Sequence, residues 1–104
     1  MAFLLFYVPF PDEVSASSIS EQMVSQQLAA CANIFPIQSK FIWDSEMQSE
    51  GEYIAVLKTP LHLGAILEKA LLAAHPYQTP CVLRWEVRAN EAYEKWIHEA
   101  TLPA

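Results

Sequence analysis

The candidate side chains for metal chemistry in this sequence are the two cysteines, Cys31 and Cys81, and one of the three histidines, His75. His62 and His98 fall within predicted helices and are expected on the solvated surface. Thiolate and imidazole groups are the ligands that Cu(I), Cu(II) and Zn(II) prefer in proteins. The chain has no CxxC or HExxH spacing, so no sequence motif supports a metal site. Cys31 ends the apolar segment LAAC, which favours a small core residue over a ligand. His75 has two open roles, as a metal ligand or as a loop histidine that bonds the backbone.

The elements that must position these residues follow from the apolar periodicity and from the prolines. Two prolines hold the segment HPYQTP (75–80) in a loop, because proline disfavours helix at itself and at its predecessor. Asp12 or Ser15 caps a first helix whose apolar rows run on to Cys31. The predicted strands are 3–8, 32–44, 52–59 and 81–87, with Pro36 at a bulge or a sheet edge. A polar connection at 45–51 joins the second and third strands. The other predicted helices are 60–74 and a final helix at 90–100 capped by Asn90.

The order βαββαβ followed by a helix predicts a single α+β domain over residues 1–104 with a ferredoxin-like fold. In that fold both helices cover one face of a four-stranded sheet. Hydrophobic residues make up 53% of the chain and charged residues 17%. This apolar share is hard to bury within one small subunit, so we expect the other face of the sheet to pack against further copies of the chain.

Successive elements alternate in direction in this fold, and the alternation decides which side chains can meet. Cys31 at the end of the first helix and His75 at the end of the second lie at opposite ends of the sheet, so they cannot hold one ion within a chain. Cys81 opens the fourth strand at the same end as His75, as does Trp43 near the end of the second strand. His75 with Cys81 is therefore the predicted ligand pair. Lys58 lies at the other end, so only a site between subunits could unite it with His75.

Composition argues against several classes of function. The formal net charge is −6 and the six Lys and Arg residues form no basic run, so nucleic acid is not an expected partner. No apolar run approaches about 18 residues, and the start MAFLLFYVPFP lacks a charged n-region and a cleavage site. We therefore expect no membrane association, and a cytoplasmic protein with reduced thiols. Two glycines are too few for a phosphate-binding loop, and no third group orients Cys81 and His75 for catalysis, so we expect no enzyme.

Four ordered motifs resemble the CutA family, the divalent-cation-tolerance proteins: QLAACANIFP at 27–36, Trp43 with LKT at 57–59, HPYQTP at 75–80 and YEKW at 93–96. The resemblance spans residues 11–97. It implies a ferredoxin-like subunit in a compact homotrimer, whose long kinked second strand reaches a neighbour's sheet. It also implies a link to copper and other divalent metals, in a fold that PII-type signalling trimers share.

The sequence departs from the common CutA pattern at several positions. Where that pattern has a cysteine in the first strand this chain has Val8, and where it has a glutamate after HPYxxP this chain has Cys81. Ile37 replaces a glycine after Pro36, and the segment before Trp43 is one residue shorter. A ligand set built on the strand cysteine or on the glutamate therefore does not carry over intact.

Three functions stay open at this point. The first is a homotrimer that binds copper or another divalent metal ion and signals through partners. The second is a PII-like sensor that holds a small anionic metabolite in a cleft between subunits. The third is a structural or partner-binding trimer without metal sites. The candidate metal ligands are His75, Cys81 and Cys31, and the candidate cleft residues are Trp43, Lys58, Tyr77 and Trp96. The alternative role of Trp43 and Tyr77 is packing at an interface.

Overall fold

The computed structural model describes residues 1–103, which contain four strands and three α-helices. The strands are β1 (Phe3–Phe10), β2 (Cys31–Trp43), β3 (Glu46–Pro60) and β4 (Leu83–Val87). The helices are α1 (Glu13–Ser25), α2 (Gly64–Ala74) and α3 (Glu91–Ala100), and a 3-10 helix at Leu61–Leu63 leads into α2. No helix in this part of the chain is long and apolar enough to cross a membrane.

The four strands form one antiparallel sheet in the order β2-β3-β1-β4. β1 and β3 are the central strands, and their register places Phe3 opposite Pro60 and Phe10 opposite Tyr53. β2 and β4 are the edge strands. This order is that of the ferredoxin-like fold, so the predicted α+β fold class with an extra C-terminal helix is confirmed.

The main core lies between the sheet and helices α1 and α2. Because side chains alternate along a strand, Phe6, Val8 and Phe10 of β1 all point to this side. They pack in one cluster with Met23 of α1 and Leu67 of α2, and all five side chains are buried. Burial of a side chain of this size contributes roughly 1.5–3 kcal/mol. Both helices thus cover one face of the sheet, as the sequence predicts.

The third helix covers part of the opposite face. Phe3, which points away from the main core, is buried against Ile97 of α3, and Val87 of β4 packs on the same cluster. Farther along β4 the register places Leu83 and Trp85 on this face, where they are 46% and 45% exposed. An apolar sheet face beside α3 therefore stays uncovered within one chain.

The first helix is shorter than the sequence predicts. Its start is as expected, because the Asp12 carboxylate accepts a 2.7 Å hydrogen bond from a first-turn backbone N–H. The helix ends early because Gln27 takes a left-handed φ of 60°. The chain then joins the sheet, where Ala30 N–H donates to Lys58 O at 2.8 Å. The prediction that Cys31 ends the first helix is therefore wrong, since Cys31 is the first residue of β2.

The β2–β3 hairpin is longer than the sequence predicts. The segment 45–51, expected as a polar connection, belongs to β3 from Glu46 onward. The connection is a two-residue turn at Asp44 and Ser45, whose φ angles are 51° and 66°. Positive φ at both central residues matches the twist of the flanking strands, so the polar residues stay paired with β2. Pro36 lies in β2 without a bulge, which an edge strand tolerates.

Part of this hairpin extends beyond the rest of the sheet. Pairing of β1 with β3 ends at Phe10 opposite Tyr53, whereas β2 and β3 remain paired up to the turn. Residues 37–52 therefore form a two-stranded projection, which we call the arm. The arm lengthens the molecule, whose extents are 46 × 24 × 21 Å.

Candidate functional site

The loop between α2 and β4 holds the motif HPYQTP, as the two prolines predict. His75 follows the last residue of α2 with an extended ψ of 136° and is 9% exposed. Its Nε2 lies 2.7 Å from Pro9 O, and its Nδ1 lies 3.1 Å from Tyr77 N. Since a backbone N–H only donates, Nδ1 is the acceptor of the second bond. Nε2 then carries the proton that it donates to Pro9 O.

These two bonds use both ring nitrogens of His75. The ring also stacks on Phe10 of β1, with ring centroids 4.6 Å apart. The structure thus gives His75 the backbone-bonding role that was one of its two open roles. A metal ion would have to displace one of the two bonds, so the ligand role of His75 stays a prediction.

Tyr77 joins the loop to the base of the arm. Its hydroxyl donates a 2.6 Å hydrogen bond to Glu52 Oε2. Burial raises the pKa of Tyr77, and the bond to Glu52 together with the negative charges of Glu52, Glu50 and Asp12 raises it further. The phenol is therefore neutral at physiological pH and remains a hydrogen-bond donor.

Glu52 is a site residue that sequence reasoning missed. Its place among the hairpin glutamates is typical of a solvated side chain, yet Glu52 is only 9% exposed. The one available signal is alternation, since Glu52 lies two positions from the buried Ile54 on the same strand. Its hydrogen-bond partner Tyr77 is 25 residues away in sequence, so no local pattern reveals the contact.

A cleft of about 360 Å³ lies between the loop and the arm, and we call it the loop–arm cleft. Its lining residues are Phe41, Trp43, Glu50, Glu52, Tyr77, Gln78 and Thr79. The four arm residues share one face of the hairpin, because the register pairs odd positions of β2 with even positions of β3. The lining contains two carboxylates and no basic side chain, so the cleft favours a positively charged ligand.

Cys81 lies in the loop and not in a strand. The prediction that it opens the fourth strand is wrong, since β4 begins at Leu83. Extending the register would place Cys81 opposite Pro9, which has no N–H and whose carbonyl is taken by His75. The Cys81 thiol is free and exposed. Within residues 1–103 no group of three or more His, Cys, Asp and Glu side chains is placed to hold a metal ion.

Cys31, Lys58 and Trp96 lie at the other end of the sheet. Cys31 is opposite Lys58 in the register, and its half-buried thiol is free. Lys58 Nζ lies 3.1 Å from the Tyr93 hydroxyl, and the Tyr93 ring lies 5.6 Å from the Trp96 ring. Cys31 and Lys58 are thus separated from His75, as the alternation of elements predicts. The candidate cleft residues divide into two pairs, Trp43 with Tyr77 and Lys58 with Trp96.

A second buried carboxylate, Glu94 of α3, is 2% exposed and was also missed from sequence. It accepts hydrogen bonds from Arg88 Nε at 2.7 Å, from the Met1 amino group at 2.6 Å and from Ala89 N–H at 2.9 Å. The Arg88 bond, followed by the other two, holds the pKa of Glu94 well below its usual range. With donors from three residues around it, this carboxylate anchors α3 to the segment after β4.

Comparison with known proteins agrees with the fold. The family model of the CutA1 divalent ion tolerance protein matches residues 4–100. The chain is 32% identical over 99 residues to the divalent-cation tolerance protein CutA of Pyrococcus horikoshii, which covers 94% of this chain and 97% of that protein. It is 31% identical to protein CutA of Mus musculus, with 91% of this chain and 55% of that protein covered.

Solved structures give the same result. CutA1 from Ehrlichia chaffeensis superposes with a TM-score of 0.94 at 31% identity, covering 97% of this chain and 96% of that one. CutA from Archaeoglobus fulgidus, described as periplasmic, superposes with a TM-score of 0.90 at 30% identity, covering 98% of this chain and 100% of that one. The sequence match and the shared fold both extend over nearly the whole chain, and the chain therefore belongs to the CutA1 divalent ion tolerance protein family.

Proposed function

We propose that this protein acts in divalent-cation tolerance as a homotrimer that binds copper or another divalent ion between its subunits. The observation that carries the proposal is the arm. Among residues 1–103 it has no third strand beside it, and on the face opposite the loop–arm cleft it exposes Ile42 and Met47 at 66% and 70%. A two-stranded hairpin is marginally stable in water, so the arm needs a surface to pack on. The uncovered sheet face beside α3 offers such a surface on a second copy, and the number of three comes from the CutA resemblance.

A metal site in this assembly would take donors from more than one chain. No set of three donors comes together in the described part of one chain, whereas zinc and copper sites use three or four. Cys81 is the best-placed donor, because its thiol is free and exposed and thiolate suits copper. His75 joins it only by releasing Pro9 O or Tyr77 N. Cys31 belongs to a separate candidate site at the other end of the sheet.

Size-exclusion chromatography with light scattering tests the assembly. We expect the mass of three chains for the wild type. Ile42→Ser with Met47→Ser removes apolar surface from the arm and should shift the protein toward monomer. Val14→Ser is the matched control, because Val14 is 77% exposed on α1 and lies outside the arm. A monomeric wild type, or an arm variant that stays trimeric, contradicts this part of the proposal.

Native mass spectrometry of the reduced protein, titrated with Cu(I) and Zn(II) without oxygen, tests metal binding. We expect uptake in multiples of three per trimer. Cys81→Ser should weaken copper binding about tenfold or more, since a hydroxyl is a poor ligand for a soft ion. Cys31→Ser is the matched thiol variant, and a loss there instead moves the site to the other end of the sheet. His75→Ala with Cys81→Ser should abolish binding in an intact trimer.

Unchanged copper affinity in that double variant overturns the assignment of His75 and Cys81 as ligands. A trimer that takes up no metal favours the structural or partner-binding alternative. Signalling through partners would require that metal binding changes which partners the trimer binds.

The charge of the loop–arm cleft argues against a small anionic metabolite as its ligand, because Glu50 and Glu52 line it. Lys58, the cation of that hypothesis, is bonded to Tyr93 at the other end of the sheet. A thermal-shift screen with anionic nucleotides should therefore show no stabilisation. A ligand that binds the folded state must raise the melting temperature, so a clear shift favours the PII-like sensor.

The proposal includes no catalytic role. Both ring nitrogens of His75 are engaged, so neither is free to act as a base for Cys81. A cytoplasmic location is also part of the proposal, and fractionation of the source cells tests it.

A further inference from the structure

Glu52 has a largely buried side chain and no basic side chain beside it in residues 1–103. It is 9% exposed, and the Tyr77 hydroxyl bonds its Oε2 at 2.6 Å. Among residues 1–103 no Lys, Arg or His side chain lies within 4.0 Å of it, whereas the buried Glu94 pairs with Arg88. Its Oε1 has no hydrogen-bond donor in the same residues and is not fully buried, and Glu52 lines the loop–arm cleft. A cation that enters the cleft can therefore pair with this carboxylate oxygen.

Aromatic rings form the walls of the same cleft. Phe41 and Trp43 come from the arm, and Tyr77 comes from the loop. Phe41 is 37% exposed and Trp43 is 53% exposed, so both rings keep surface available to a ligand. The face of an aromatic ring carries negative potential and attracts cations, most strongly for tryptophan.

We propose that the loop–arm cleft binds an organic ammonium ion, with the charged group beside Glu52 and the apolar part against Trp43 and Phe41. The volume of about 360 Å³ falls in the range of small-ligand sites, roughly 300–1,000 Å³. A bare divalent ion is a poorer match, because three protein donors do not converge in the described part of the chain. The site does not use Cys81, and its test is independent of the metal titration.

Nuclear magnetic resonance of the assembled wild-type protein tests the proposal. The probes are benzylammonium and benzyl alcohol, which have nearly the same shape but differ in charge. The readout is the indole N–H signal of Trp43, assigned with a Trp43→Phe variant. We expect saturable shifts with a Kd for benzylammonium about tenfold or more below that for benzyl alcohol, because both Glu52 and the ring faces favour the charged probe.

Glu52→Gln separates this site from a general attraction of cations to an acidic protein. The amide oxygen still accepts the Tyr77 hydroxyl, so the cleft keeps its shape while the charge at position 52 is lost. The preference for benzylammonium should fall to about twofold or less. Glu21→Gln is the matched control, because it removes one charge from the exposed surface of α1 and should keep the preference.

Three results overturn the proposal. One is a wild-type Trp43 signal that does not respond to benzylammonium. A cleft filled by a neighbouring copy of the chain would give this result. Another is equal affinity for the two probes. The third is a preference that survives Glu52→Gln.

Discussion

The Tyr77 hydroxyl lies 2.6 Å from Glu52 Oε2, and this hydrogen bond ties the loop after α2 to the base of the arm. His75 holds the other side of the loop through its bonds to Pro9 O and Tyr77 N. The loop, the arm and the end of β1 are thus connected by three polar contacts, and the shape of the loop–arm cleft depends on them.

Tyr77→Phe should lower the free energy of unfolding by about 1.5–3 kcal/mol, the range for a hydrogen bond to a charged group. Urea denaturation at fixed protein concentration measures it. Tyr7→Phe is the control, because the Tyr7 hydroxyl makes no hydrogen bond within residues 1–103, whereas those of Tyr77 and Tyr93 do. An equal loss in both variants would show that the Glu52 bond contributes nothing specific.

Tyr77 also predicts a dependence on alkaline pH. Its folded pKa is raised above the ordinary 10.0 by burial and by Glu52. The phenol therefore contributes its full stability below pH 10, and this contribution is lost as the pH rises above that value toward the folded pKa. We expect the wild type to lose stability more steeply above pH 10 than Tyr77→Phe. Melting temperatures that fall equally with rising pH in the two proteins would contradict the raised pKa of Tyr77.

Glu94 predicts the opposite behaviour in acid. Its folded pKa lies below the ordinary 4.5, because Arg88, the Met1 amine and Ala89 bond the charged form. Its contribution is present above pH 4.5 and is lost as the pH falls below that value. Glu94→Gln should be less stable than the wild type at neutral pH, and this difference should shrink in acid.

Thermal unfolding of the Glu94 variant across the pH range makes the measurement. Glu99→Gln is the control, since Glu99 is exposed near the end of α3, 3.8 Å from Lys95, and should change little. A stability difference for Glu94→Gln that is constant with pH argues against the depressed pKa.

Ser45 holds a φ of 66° in the turn of the arm. The left-handed region costs a residue with a side chain roughly 1–2 kcal/mol, and glycine avoids this cost. Ser45→Gly should therefore raise the free energy of unfolding by up to about 1 kcal/mol. Ser39→Gly, in the extended part of β2, should lower it by about 0.5–1 kcal/mol. If both variants lose stability, the turn does not have this geometry.

Gly64, the first residue of α2, leaves no room for a side chain. A Cβ there would lie 2.5 Å from Leu4 Cδ1 and 2.8 Å from an Arg84 nitrogen. Gly64→Ala should lower the free energy of unfolding by about 1 kcal/mol or more, because the buried Leu4 must move. Gly51→Ala is the matched control, since nothing lies within 4 Å of its Cβ. Similar stability of the two variants would contradict the close contact.

Much of the fold was predictable because the signals are local. The Asp12 cap acts on its own first turn, and the prolines around Tyr77 act on their own backbone and on the preceding residue. Apolar alternation places Phe6 and Val8 on one face without knowledge of what covers them. The family motifs are also short segments, so they could be read without coordinates.

The end of the first helix shows where local signals fail. The apolar row that leads to Cys31 fits a helix as well as it fits the start of a strand. The strand forms because Cys31 pairs with Lys58 of β3, to which the Ala30 N–H also donates a hydrogen bond. The positive φ of Gln27 directs the chain to this position. The polar residues from Glu46 onward are strand for a related reason, since a turn with two positive φ angles keeps them in register with β2.

The sequence by itself determined the order of the elements, the loop at HPYQTP and the membership of the family. Only the tertiary structure decided that Glu52 is buried beside Tyr77 and that both nitrogens of His75 are occupied. The physical reason is separation along the chain. These contacts join residues 25 and 66 positions apart, and their existence depends on the register of strands and on the path of a loop, which no local pattern encodes.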